Sequence, residues 1–262
     1  MHDLPPIHVI IGENGMDYRV IIPAAGCGKR MGYGKNKLFI PILNIPVLIR
    51  TLQCFEQDAW CAGIVLVISE RDRDEVGRML DKFRIRKVAD VVMGGVERQE
   101  SVRNGLNGLE GEGVVLIHDG ARPFIRQHAI HRVVETAAEK GAAVLGVPAK
   151  DTVKKVEKGK VVATEDRRYL WQIQTPQAFR LPIIREAHRR AERDGFLGTD
   201  DASLVERIGE KVFVVPGDYM NIKITTREDL VFAEAILRME NAGGGFTPTG
   251  KDGESVSDWT GV

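Results

Sequence analysis

The sequence is short of cysteine, carries no net charge and has no long apolar run. Its three cysteines, Cys27, Cys54 and Cys61, form no CxxC pair. That excludes a disulfide framework and implies a reducing, cytoplasmic setting, with Cys54 and Cys61 expected as buried free thiols. Thirty-seven basic residues balance thirty-seven acidic ones, so no global field draws in nucleic acid or an anionic membrane, and neither is expected as a partner. Any positive site must be local. No window approaches the roughly 18 apolar residues that a membrane span requires.

What is present is enough to bury a full core: 262 residues, 43% of them hydrophobic. Residues 1–16 read as an N-terminal extension and a candidate for disorder. Gly243-Gly244-Gly245 opens a polar stretch without apolar periodicity, expected to be a flexible tail over 243–262. Between them, 17–242 reads as a single domain. Short β-branched runs predict strands near 19–24, 63–68, 88–92, 113–118, 142–147 and 211–215. Helical periodicity falls near 46–58, 72–83, 98–109, 127–140, 181–194, 200–208 and 226–240. This alternation means α/β. Runs such as Ile64-Val65-Leu66-Val67-Ile68 are apolar on both faces, as in a mostly parallel sheet covered by helices on both sides. Ligands of such sheets bind beyond the carboxyl ends of the strands.

Residues 150–174 depart from this rhythm. Two alternating segments flank Lys158-Gly159-Lys160, which predicts a projecting β-hairpin arm. A lone hairpin is marginal in water, so the arm is expected to pack against something, and a second copy of the chain is the first candidate.

After the 19–24 strand come Pro23-Ala24-Ala25-Gly26-Cys27-Gly28-Lys29-Arg30-Met31, with Lys35 and Lys37 close behind. Strand, glycine-rich turn and cations together make a phosphate cradle, because small residues let backbone N–H groups approach an anion. A Walker A loop is excluded, since Arg30 stands where Ser or Thr is needed. The dinucleotide fingerprint is excluded too, since Met31 occupies the place of its third glycine.

This loop with Lys37 resembles the sugar-phosphate nucleotidyltransferases. Further segments narrow the resemblance: Gly94-Gly95-Val96-Glu97-Arg98-Gln99-Glu100-Ser101, His118-Asp119-Gly120-Ala121-Arg122-Pro123, Gln174-Thr175-Pro176-Gln177, Thr199-Asp200-Asp201-Ala202-Ser203 and Asn221-Ile222-Lys223. In this order, over about 18–240, they are similar to the 2-C-methyl-D-erythritol 4-phosphate cytidylyltransferases. The resemblance implies a Rossmann-like fold, a homodimer formed through the arm, and Mg²⁺-dependent transfer of CMP from CTP to methylerythritol 4-phosphate. The products would be 4-diphosphocytidyl-2-C-methyl-D-erythritol and pyrophosphate, in non-mevalonate isoprenoid synthesis.

The resemblance also implies roles. Arg30 and Lys37 would be catalytic. Ala24, Ala25, Gly26, Gly28, Gly94, Arg98, Ser101, Asp119 and Ala121 would bind the nucleotide, with Asp119 a candidate metal contact. Thr152, Arg167, Thr175, Thr199 and Lys223 would bind the acceptor, Arg167 reaching in from the partner subunit. Two departures from the family pattern stand out: Gly120 replaces the usual alanine, and Asn36-Lys37-Leu38-Phe39 replaces Pro-Lys-Gln-Phe or similar. Two alternative functions compete with this one. A ribitol-5-phosphate cytidylyltransferase shares the glycine loop and Thr-Pro-Gln, but the Thr199–Ser203 and Asn221–Lys223 segments favour methylerythritol. A non-catalytic nucleotide-binding regulatory protein would not need Arg30, Lys37, Arg167 and Lys223 together.

Overall fold

The computed structural model describes residues 16–26 and 36–241. The extension before Met16, residues 27–35 with Gly28 and Arg30, and the tail 243–262 lie outside the described residues. Apolar Tyr18–Pro23 form β1. A 3₁₀ turn at Lys37–Phe39 leads into a short hairpin of β2 (Pro41–Ile42) and β3 (Ile45–Pro46). The chain then alternates: α1 (Val47–Glu56), β4 (Cys61–Ile68), α2 (Arg73–Lys82), β5 (Val88–Met93), α3 (Arg98–Asn107), β6 (Val114–Ile117), α4 (Gln127–Lys140) and β7 (Ala142–Pro148). Gly141 ends α4 at φ +99°, a conformation that a side chain would strain.

Next come the arm strands β8 (Lys154–Glu157) and β9 (Lys160–Thr164), then β10 (Trp171–Arg180), α5 (Leu181–Arg193), α6 (Asp201–Arg207), β11 (Phe213–Pro216) and α7 (Arg227–Asn241). Outside 150–174, each sequence-predicted strand and helix is present, with ends shifted by no more than two residues.

Seven strands form one sheet in the order β11-β7-β10-β6-β1-β4-β5. All pairs are parallel except those of β10, which runs antiparallel to both β6 and β7. Strand residues alternate between two cores. Val20, Ile22, Ile64, Leu66 and Leu116 face the helices α1, α2, α4 and α7, whereas Ile21, Val65, Val67, Val115 and Ile117 face α3, α5 and α6. Both faces are therefore dry, as the continuous apolar runs require.

The stretch 150–174 divides differently from its sequence pattern. Residues 150–169 are all exposed, and the arm strands end at Thr164. The alternation from Trp171 onward belongs to β10 in the central sheet, because those residues pair with β7 and then β6. Being antiparallel, β10 brings its beginning, and with it Thr175, to the edge where the parallel strands end.

Candidate active site

β1 ends at Pro23, and Ala24 N donates to Val67 O at 2.7 Å, tying this end to β4. The chain is next described at Asn36, which caps the 3₁₀ turn that carries Lys37. Lys37 Nζ reaches Ile224 O at 2.9 Å, so the ammonium lies beside the segment that holds Lys223. That segment is fixed by Ile224 N donating to Ala121 O (2.9 Å) and by Arg122 Nη1 donating to Asn221 O (2.6 Å).

Beyond β5, Gly94 N donates to Ile68 O at 2.8 Å. A Cβ on Gly94 would lie 2.4 Å from Ala25 Cβ and 2.9 Å from Ser101 Oγ, so only glycine lets the β1 and β5 ends meet here. Ser101 Oγ accepts from Gly95 N and donates to Glu97 O, each at 3.1 Å, and Glu97 with Glu100 forms a capping box at the start of α3. Capping fixes the first turn of α3. Arg98 projects from that turn.

Arg98 lies between two buried carboxylates: Nε is 3.2 Å from Asp119 Oδ1 and Nη1 is 2.7 Å from Asp201 Oδ2. Lys223 Nζ lies 2.7 Å from Asp119 Oδ2, and Arg122 Nε 3.9 Å from the same oxygen. Burial alone would raise the Asp119 pKa, but Arg98, Lys223 and Arg122 outweigh it and hold the carboxyl well below its usual range. Burial likewise works against the Arg98 charge, and Asp201 and Asp119 more than restore it. The backbone N of Asp119 donates to Thr175 Oγ1 at 3.0 Å, and that hydroxyl lies 3.2 Å from His118 Nδ1. His118 Nε2 is 3.0 Å from Arg122 O, which can only accept a hydrogen bond, so the neutral ring donates there and accepts from Thr175. Desolvation lowers the His118 pKa to about 4.

These residues converge on a cleft of about 280 Å³ beyond the carboxyl ends of β1, β5 and β6. Its lining includes Ala24, Ala25, Gly26, Lys37, Arg98, Ser101, Asp119, Ala121 and Lys223. Gly94 supports it from behind. Thr199 lines an adjoining cavity with Asp201, and the two cavities share Glu97 and Arg98. Thr175 is buried with its hydroxyl engaged inside the fold. Thr152 and Arg167 stand on the exposed arm and do not line the cleft, and Arg167 Nη1 donates to Lys150 O at 2.7 Å. Arg30 and Gly28 lie outside the described residues.

Some contributors escaped the sequence reading. Asp201 stands in the Thr199–Ser203 segment with no role assigned from sequence, yet it binds Arg98, and His188 Nε2 backs it at 3.1 Å. Asp201 and Arg98 are 103 positions apart, a separation that no local spacing encodes. The thiols behave as expected: Cys61 is buried and Cys54 half-buried, and burial pushes both pKa values up to about 12, away from reactivity.

Chemically, the cleft sets lysine and arginine cations beside tightly turned backbone at strand ends. It offers anion binding beside the acidic Asp119 and Glu97, and among the described residues of its lining no nucleophile stands paired with a base. Residues 18–239 match the family described as IspD, 2-C-methyl-D-erythritol 4-phosphate cytidylyltransferase. A protein of that name from Bacillus velezensis is 55% identical over 227 residues, covering 86% of this chain and 98% of the relative. One from Halalkalibacterium halodurans is 54% identical over 222 residues, covering 85% and 97%. Among solved structures, 4-diphosphocytidyl-2C-methyl-D-erythritol synthase from Anaerococcus prevotii superposes with a TM-score of 0.75 at 35% identity, covering 86% of this chain and 97% of that one. The Thermus thermophilus cytidylyltransferase gives 0.71 at 33%, covering 85% and 100%. With its sheet order, its strand-end cleft and matches over nearly the full length of these relatives, this chain belongs to the 2-C-methyl-D-erythritol 4-phosphate cytidylyltransferase family.

Proposed function

We propose that the cleft binds CTP and that the 4-phosphate of methylerythritol attacks its α-phosphorus, forming the new P–O bond as pyrophosphate leaves. The observation that carries this reading is the convergence of Lys37, Arg98, Asp119 and Lys223 on one cleft with the Gly94–Ser101 turn. A phosphate monoester is largely dianionic at pH 7, so the attacker needs no deprotonation and no general base is required. The work left to the protein is to hold two anions together and to stabilise the charge that builds between them.

Each residue then has a task. Lys37, together with Arg30, stabilises the α-phosphate as it becomes crowded with charge. The glycine turn and Ala24, Ala25, Gly26 and Gly28 admit the triphosphate closely. Gly94, Arg98 and Ser101 read the base, with Asp119 and Ala121 at the ribose side. Lys223 and Thr199 hold the attacking phosphate, and Thr175 fixes the Asp119 backbone. Thr152 and Arg167 complete the site from the arm of a second copy, which gives an exposed arm bearing Val156, Val161 and Tyr169 a surface to cover.

A divalent cation would serve this chemistry by neutralising triphosphate charge. Among the described residues no group of three or more His, Cys, Asp and Glu could hold one. Asp119 supplies one carboxylate, and magnesium commonly takes one or two carboxylates with substrate phosphates and water completing its shell. The donor set therefore fits Mg²⁺ only in company with CTP. Among the described residues no helix is long and apolar enough to cross a membrane, which is compatible with work in the cytoplasm.

The test is pyrophosphate release with CTP, UTP, ATP and GTP against methylerythritol 4-phosphate and ribitol 5-phosphate. Release with CTP and the methylerythritol acceptor is expected, and release with ribitol 5-phosphate alone would overturn the substrate assignment. Lys37→Ala should lower kcat about a thousandfold, as loss of one oxyanion-type donor costs about 3–4 kcal/mol.

A further inference from the structure

Lys37 is one residue beyond a side chain that is almost completely buried. Asn36 is 3% exposed, and its amide makes three hydrogen bonds. Nδ2 donates to Ala24 O and to Asp72 Oδ2, both at 3.0 Å, while Oδ1 accepts from Leu38 N at 3.1 Å. The direction of the amide is dictated by its partners. Turned over, it would set oxygen against the Ala24 carbonyl and the Asp72 carboxylate, and NH₂ against the Leu38 N–H, losing every bond.

These contacts form a continuous brace. Ala24, at the end of β1, is itself bonded to Val67 of β4. Asn36 joins this strand end to the 3₁₀ turn of Lys37, and Asp72, just before α2, anchors the amide from the other side. Asp72 is 7% exposed, and its other oxygen is 3.8 Å from the exposed Arg71, a weak surface pair. Its principal structural bond is thus the charge-assisted one to Asn36. At the far end of the lysine, Nζ meets Ile224 O. Both ends of Lys37 are held, the backbone end by Asn36.

We infer that Asn36 and Asp72 are positioning residues for cytidylyl transfer, setting the backbone from which Lys37 reaches the reacting phosphate. The inference rests on the catalytic role proposed for Lys37. An ammonium on a four-carbon stem is a flexible point charge, so the accuracy with which it meets a developing charge depends on where its stem begins. Misplacement by about 1 Å can cost about a hundredfold in rate.

The test is a kinetic double-mutant cycle with pyrophosphate release as readout, well below each variant's melting temperature. Asn36→Ala and the nearly isosteric Asn36→Asp, which still accepts from Leu38 N but cannot donate, should each lower kcat about 10- to 100-fold. KM for CTP should change less than about threefold, since a displaced transition-state contact acts on kcat. Asp72→Leu should reproduce part of this loss. Asp72→Asn, whose amide oxygen still accepts from Asn36, should stay within about threefold of the parent and should partly rescue Asn36→Asp by offering it a donor. In a Lys37→Ala background, Asn36→Ala should lower kcat by less than about twofold, because the group it positions is gone. If Asn36→Ala costs the same factor with or without Lys37, or leaves kcat at the parent value while Lys37→Ala lowers it, the positioning role is overturned and the catalytic role of Lys37 stands. If Lys37→Ala itself turns over normally, the catalytic reading fails and takes this inference with it.

Discussion

Lys223 Nζ lies 2.7 Å from Asp119 Oδ2, and Arg98 bonds the other oxygen of the same carboxylate at 3.2 Å. One buried acid thus holds these two cations at the wall of the cleft. If Lys223 holds the attacking phosphate as proposed, that phosphate competes with Asp119 for its ammonium. Arg98 also contacts Asp201, which leaves Lys223 with the freer geometry of the two.

Asp119→Asn removes the shared counter-charge and keeps the shape. Breaking a buried ion pair costs about 3–5 kcal/mol, but Arg98 and Lys223 are 33% and 39% exposed, and water screens part of the loss. A destabilisation of about 1–3 kcal/mol is expected. Urea denaturation should show it, and if Lys223 holds the attacking phosphate, saturating methylerythritol 4-phosphate should shrink the difference from the parent, because its phosphate then faces the unpaired ammonium.

Lys223→Met keeps the stem and removes the ammonium. If this lysine holds the attacking phosphate, KM for methylerythritol 4-phosphate should rise at least about tenfold, the value of one charge-assisted bond of about 1.5–3 kcal/mol. KM for CTP should move much less. Steady-state titration of each substrate against a fixed excess of the other separates the two.

Acid should act on stability in two stages. His118 is buried and neutral, with its pKa lowered by desolvation to about 4, whereas an unfolded histidine titrates near 6.5. Between those values the unfolded chain binds the extra proton, so stability falls as pH drops from about 6.5 to about 4, by up to about 3 kcal/mol. Asp119 and Asp201 are both held below the usual carboxylate value despite burial. Their contribution is complete above about pH 4 and is lost as pH falls further. Denaturation midpoints across pH should show both stages, and His118→Gln should flatten the first alone.

Legibility followed the range of the interactions. Strand ends and the glycine turn are written in consecutive residues, so period and spacing located them, whereas Lys37 and Lys223 were singled out by the family resemblance. The start of β10 is not legible in the sequence because Trp171–Gln174 continue the alternation of the arm, and only pairing with β7 distinguishes them. The tie from Arg98 to Asp201, the backing by His188 and the brace of Asn36 with Asp72 join residues 103, 13 and 36 positions apart. Buried polar partners of this kind are selected by geometry after folding, and a single sequence does not mark which residue pairs with which. Asn36 left a local trace, as a residue able to cap the turn of Lys37.

The exposed arm gives the sharpest test of assembly. Arg167 stands on it, outside the cleft of its own chain, whereas Lys37 lines that cleft. In a two-fold dimer with exchanged arms, each site would combine the body of one chain with the arm of the other. Arg167→Ala and Lys37→Ala should each abolish most activity in homodimers. Co-expressed with different tags and purified as the mixed dimer, they should recover about half the parent activity, because one site then has an intact body and an intact arm and the other has neither. If each arm serves its own chain, both sites of the mixed dimer carry a lesion and activity stays at the level of the single variants. Sedimentation at micromolar protein, run on the same samples, ties the recovery to the dimer.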